Sequence, residues 1–129
     1  MKASDLMMGD WVYNTHNKQY EQVRAIEETR VMLAYNDLYD YTDIQPIPLT
    51  EEILENNGFK KGELCMAMSP HPTISFTLDN RNYYLEIWLD LSNNKFNKMG
   101  SEWEEFEIQY VHELQHALKL YKIEKEINC

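Results

Sequence analysis

The sequence predicts an α+β protein in two parts: an SH3-like small β-barrel over residues 1–48, then a short linker helix and an antiparallel β-sheet with one C-terminal helix packed on it, over residues 49–129. Three observations lead there. Residues 1–48 break into short apolar runs separated by turn-forming residues, the pattern of short strands. Residues 73–91 alternate apolar and polar side chains, the period of a strand with one face buried. Residues 111–122 change to the three-and-four spacing of an amphipathic helix.

Taken in order, the first strand is residues 10–13, closed by the polar turn Asn14-Thr15-His16-Asn17-Lys18. Residues 22–26, with Val23 and Ala25 on one side, and residues 30–35 follow as strands. Residues 44–47 make an edge strand, where Pro46 is tolerated because an edge leaves some N–H positions unpaired. Strands this short lose their exposed edges by curling or closing, hence a barrel of about five strands.

The stretch PIPLTEEILENNGFKK carries the clearest local signal. Thr50 is a helix cap, Glu51 and Glu52 sit where the helix dipole favours carboxylates, and Asn57-Gly58 supplies a left-handed stop with Phe59 folding back on Leu54. The helix is expected over 51–57. Strands follow at 64–68, 73–78, 83–91 and 106–110, with a turn at Asp79-Asn80-Arg81-Asn82 and a polar loop over 92–101. In the final helix, 111–122, the hundred-degree step gathers Val111, Leu114, Ala117, Leu118 and Tyr121 on the face that meets the sheet.

Composition removes several function classes. Twenty-two acidic against twelve basic residues give a net charge of −10, which repels phosphate backbones, so no direct nucleic-acid partner is expected; an acidic surface that mimics nucleic acid is the alternative use of that charge. Four glycines in 129 residues leave no phosphate-cradling loop. Cys65 and Cys129 make no disulfide framework, which points to a reducing, cytoplasmic setting. No run approaches the roughly 18 apolar residues of a membrane span, and none forms a secretory core, so no membrane association is expected.

Residues 112–116, His-Glu-Leu-Gln-His, are a literal H-E-x-x-H. On a helix its histidines stand one turn apart and can grip zinc while the glutamate activates water, so His112 and His116 are candidate metal ligands and Glu113 a candidate general base. A catalytic zinc needs a third protein ligand, and the extended pattern H-E-x-x-H-x-x-G-x-x-H is broken by Lys119 and Lys122. Upstream, Cys65, His71 and His16 are the conceivable third donors. Cys65 on a strand invites comparison with peptide deformylases, but their Gly-Cys-Leu-Ser context and glutamine-bearing loop are absent. The expected reading is that both histidine rings face solvent and that no cofactor is bound, zinc being the one alternative.

Three signatures, Lys2 to Val12 (K-A-x-x-L-x-x-G-D-W-V), Pro46 to Phe59 (P-I-P-L-T-E-E-I-L-x-x-N-G-F) and Tyr110 to Leu118 (Y-V-H-E-L-Q-H-A-L), resemble an uncharacterised small-protein family of intestinal anaerobic bacteria and their prophages or mobile elements. The resemblance spans most of the chain. It implies a setting and no activity; in that family the position of Glu113 need not be glutamate, which tells against a required base there.

The function expected is therefore a non-enzymatic, protein-binding accessory protein of a phage or mobile element. The candidate contact residues are Trp11, Tyr35, Tyr39, Tyr41 and Trp103, because tyrosine and tryptophan are favoured interface anchors; the alternative for Trp11, Trp88 and Trp103 is a place in the core. The first alternative is a zinc-dependent hydrolase using His112, Glu113 and His116, and the second an acidic nucleic-acid mimic. The sequence does not name the protein partner or the oligomeric state.

Overall fold

The computed structural model describes residues 1–65, 72–80, 83–99 and 105–129. The chain divides into two compact units, one of Met1–Pro48 with Tyr110–Ile127 and Cys129, the other of Leu49–Gln109 with Asn128.

The first unit begins with a 3-10 turn, Ala3–Asp5, and six short strands: β1 (Trp11–Asn14), β2 (Gln19–Gln22), β3 (Ala25–Ile26), β4 (Arg30–Met32), β5 (Leu38–Asp40) and β6 (Ile44–Pro46). They form two antiparallel sheets of three, ordered β2-β1-β6 and β3-β4-β5. Leu6, Val12, Val23, Val31, Leu33 and Ile44 make a buried cluster, against which Met1, Ile26, Tyr39 and Tyr41 pack. The β1–β2 turn is held from inside: Glu21, only 4% exposed, accepts from the side-chain amides of Asn14 (2.8 Å) and Asn17 (3.0 Å), which satisfies a carboxylate that burial would otherwise penalise.

Neither three-stranded sheet closes on itself into the expected barrel. The chain changes partners inside the run read as one strand over 22–26. Val23 donates to Asp10 O and accepts from Gly9 N, whereas Arg24 donates to Met32 O, so the ladder passes there from one sheet to the other. On the far side a second 3-10 turn, Tyr41–Asp43, separates β5 from β6, which pair in different sheets.

The second unit starts with α1 (Glu51–Asn56), followed by β7 (Lys60–Cys65), β8 (Thr73–Asn80), β9 (Tyr83–Asp90), β10 (Lys95–Met99) and β11 (Glu105–Glu107). Thr50 Oγ1 accepts from Ile53 N at 3.2 Å, and Gly58, at φ +89°, ends the helix with Phe59 N donating to Leu54 O, as the local signals required. The strands form one antiparallel sheet ordered β11-β10-β9-β8-β7. In-register pairs Phe76 with Ile87, Leu78 with Leu85, and Leu89 with Phe96 build its buried face. The run expected as a loop over 92–101 contains β10. Phe96 is its buried apolar residue, too little for alternation to be read, yet the strand pairs with β9 through five residues. Of the strand expected at 64–68, residues 66–68 lie outside those described, and pairing begins earlier, at Lys60.

The last helix, α2 (Val111–Leu120), was expected on the C-terminal sheet. It belongs instead to the first unit, joined through the Pro48/Tyr110 bridge, a Val111 N to Ile47 O bond and contacts with β1. It stops two residues short of the expected 122, where Lys122 takes the left-handed conformation (φ +57°) and Ile123 N donates to Leu118 O. No helix among the described residues is long and apolar enough to cross a membrane.

Candidate functional site

The H-E-x-x-H string lies on the first turns of α2, and Glu113, Gln115 and His116 each hold a partner inside the first unit. Glu113 occupies the third helical position, from which Oε1 accepts the N–H of Tyr110 at 3.0 Å. That donor is one of the groups a helix start leaves without an intrahelical partner, and a carboxylate is favoured beside it by the dipole. The candidate general base is thus engaged as a helix cap.

Gln115 is a two-point clamp. Its Oε1 accepts from Trp11 N at 2.8 Å and its Nε2 donates to Gly9 O at 2.9 Å, so one side-chain amide reads the main chain on both sides of Asp10. Further along the helix Lys119 Nζ donates to Met8 O at 3.2 Å. His116 Nε2 meets Asp10 Oδ2 at 2.6 Å, and the same oxygen accepts from Met7 N at 2.8 Å. Gly9 makes this approach possible by adopting φ +89°, a region costly for a residue with a Cβ.

Both histidines were expected to face solvent. His112 is instead only 7% exposed, and His116 keeps 30% of its side-chain surface and an ion-pair contact to a fully buried carboxylate. The physical reason is that α2 has a second covered face. Beside the apolar stripe of Val111, Leu114, Ala117 and Leu118, the flank carrying His112, Gln115 and His116 lies against residues 8–11, while Leu120 is left outward at 71% exposure. The His112 ring stacks on Tyr110 (5.9 Å, 15°) and stands edge-on to His116 (5.5 Å, 79°). Burial pushes the His112 pKa below the ordinary histidine value; the charges of Asp10, Glu113 and Asp5 pull the other way and His116 adds to the lowering. Two atoms in this cluster, Asp10 Oδ1 and His112 Nδ1, are buried without a hydrogen-bond partner.

The third donors considered from sequence fall in separate places. His71 lies outside the described residues; His16 sits in the β1–β2 turn with its ring 5.9 Å from Tyr39; Cys65 ends β7, in the second unit. Asp10 is the residue that sequence reasoning missed, and the Gly9-Asp10 pair was its only local trace. Among the described residues no three His, Cys, Asp or Glu side chains are arranged to hold a metal ion.

The candidate contact residues fall into different environments. Tyr35, beside the left-handed Asn36 between β4 and β5, is 76% exposed, with Leu38 at 36%. Tyr39 and Tyr41 are half-buried on the core cluster, and the Tyr41 hydroxyl donates to Glu27 O. Trp11 is half-buried, its indole N–H bonded to Ile127 O at 2.6 Å. Trp103 lies outside the described residues. Comparison with protein-family models, with curated proteins and with solved structures found no match for this chain.

Proposed function

We propose that this chain is a non-enzymatic, protein-binding accessory protein of a phage or mobile element. The observation that carries the reading is Tyr35, held outward at 76% exposure between two strands, with Leu38 nearby. A large aromatic side chain with few rotatable bonds, carried on the turn between two strands, loses little entropy on contact and gains much burial, which is why tyrosine recurs as an interface anchor. The residues of the H-E-x-x-H string support the same reading by their engagement: Glu113 caps the helix and His116 is paired with Asp10. The net charge of −10 favours a protein partner over a phosphate backbone. The mobile-element setting rests on the resemblance of the leader, middle and tail signatures.

The test uses the parent and the double variant Tyr35→Ser, Leu38→Ser as bait in extract of an anaerobic host, after amide spectra show that both share one fold. The expected result is a protein enriched in stoichiometric amount by the parent and lost with the variant. An unchanged set of captured proteins overturns the contact surface. One equivalent of zinc in parent purified without added metal, together with hydrolytic activity, overturns the non-enzymatic reading.

A further inference from the structure

The sheet β3-β4-β5 ends in an open edge at β5. Val31 belongs to the buried cluster, and its cross-strand neighbours Ile26 and Tyr39 pack against that cluster. The adjacent row, Ala25, Met32 and Leu38, therefore lies on the opposite face, as the strand pleat requires. This apolar row ends at the edge strand, and the exposed Tyr35 precedes it in the turn from β4. We propose that β5 takes up a lysine- or arginine-bearing extended segment of another protein as an added strand. The inference rests on the contact surface proposed above and names the chemistry of its partner.

Main-chain direction and charge together decide the kind of partner. In an antiparallel pair, residues that bond to one another alternate with residues whose N–H and C=O point away. Leu33 N donates to Asp37 O, so in the β4–β5 register Asp37 and Tyr39 are the bonded positions. Leu38, between them, turns its N–H and C=O to the open edge, where an incoming strand can bond both. Asp37 and Asp40 are exposed on either side of Leu38 and Tyr39, while Arg30, opposite Asp40 on β4, leans to Glu27 at 3.8 Å. A neutral or acidic strand laid here would desolvate carboxylates without a counter-charge, and a second copy of this chain would set the same carboxylates beside its own. Positions two apart on a strand share a face, so a segment with a cation opposite Asp40 and an apolar side chain opposite Leu38 meets both requirements.

The probe is the end-blocked peptide Lys-Thr-Val-Thr-Lys-Thr-Val-Thr, which carries lysine and valine on one face when extended, beside the same peptide with glutamate for lysine. In amide spectra of the full chain, Leu38, Tyr39 and Asp40 are expected to shift with the lysine peptide and to stay unchanged with the glutamate peptide. The double variant Asp37→Lys, Asp40→Lys should reverse that preference. Leu38→Pro removes the outward N–H while sparing the bonds to β4, and should weaken the lysine peptide several-fold. Leu38→Val, which keeps the N–H and an apolar side chain, should bind as the parent does. Equal responses to both peptides, shifts that leave β5 aside, or no response overturn strand addition. So do β5 amide shifts that follow protein concentration without peptide, the mark of a second copy. The contact surface itself stands or falls on capture by the parent against Tyr35→Ser, Leu38→Ser, so the two failures are told apart.

Discussion

Replacing Gln115 separates a structural clamp from an ordinary polar helix residue. Its amide makes two hydrogen bonds to main-chain groups more than a hundred residues earlier, at 2.8 Å to Trp11 N and 2.9 Å to Gly9 O, both partly buried. Gln115→Met keeps the length and most of the packing while removing both bonds. Each net bond contributes about 0.5–1.5 kcal/mol, so the loss should be roughly 1–3 kcal/mol, a sizeable share of a typical 5–15 kcal/mol stability. Gln115→Glu is the sharper probe. It keeps an acceptor for Trp11 N–H but sets a carboxylate oxygen against the Gly9 carbonyl, two acceptors with no proton between them, so it should cost at least as much as methionine despite being nearly isosteric. Urea unfolding of the three proteins measures this through shifts in midpoint at constant slope. If both variants unfold within about 0.5 kcal/mol of the parent, the range of ordinary surface changes, the clamp does not hold.

Three further outcomes are expected. Leu114→Asp, at a position with no exposed surface, combines the loss of a buried leucine with an unpaired carboxylate, a cost of several kcal/mol or about 5 in total, and should give aggregated or unfolded protein by circular dichroism. Lys122→Gly should stabilise by about 1 kcal/mol, raising the melting temperature by a few degrees, because a residue with a Cβ now occupies the left-handed position that glycine fills at the end of α1. Because the His112 pKa is lowered in the folded protein, the unfolded chain binds more protons over the interval below the ordinary histidine value; stability should therefore fall as pH drops through that interval, with no contribution from this group above it, and His112→Phe should flatten that part of a denaturation-against-pH curve.

What could be read from sequence was what neighbours along the chain decide. The linker helix was legible because Thr50 and the two glutamates mark its start and Gly58 its end, each through near neighbours in the chain, and β8 and β9 were legible because alternation is a property of single strands. β10 escaped because its pairing, with Phe96 as its buried apolar residue, is decided by β9. The barrel was expected from strand length alone, whereas closure depends on which strands pair, and the change of partner at Val23 and Arg24 has no local signature. The histidines were misplaced for the same reason. Periodicity finds one apolar stripe on α2 and treats the rest as wet, but the flank with His112, Gln115 and His116 is covered by a stretch some hundred residues away, through a main-chain contact that any side-chain pattern leaves invisible.

The composition of the first unit from Met1–Pro48 and Tyr110–Ile127 has a consequence for biosynthesis. A chain emerging from the ribosome presents its first six strands with no α2 to meet them, and the wait lasts for the roughly 80 residues still to be made, about 4–16 s at ordinary elongation rates. The second unit, contiguous apart from one residue, has all its strands to hand before that wait ends. On the ribosome the middle of the chain thus has its partners to hand before the beginning does, and the Trp11 amide and the Gly9 carbonyl stay open to water until Gln115 has left the exit tunnel.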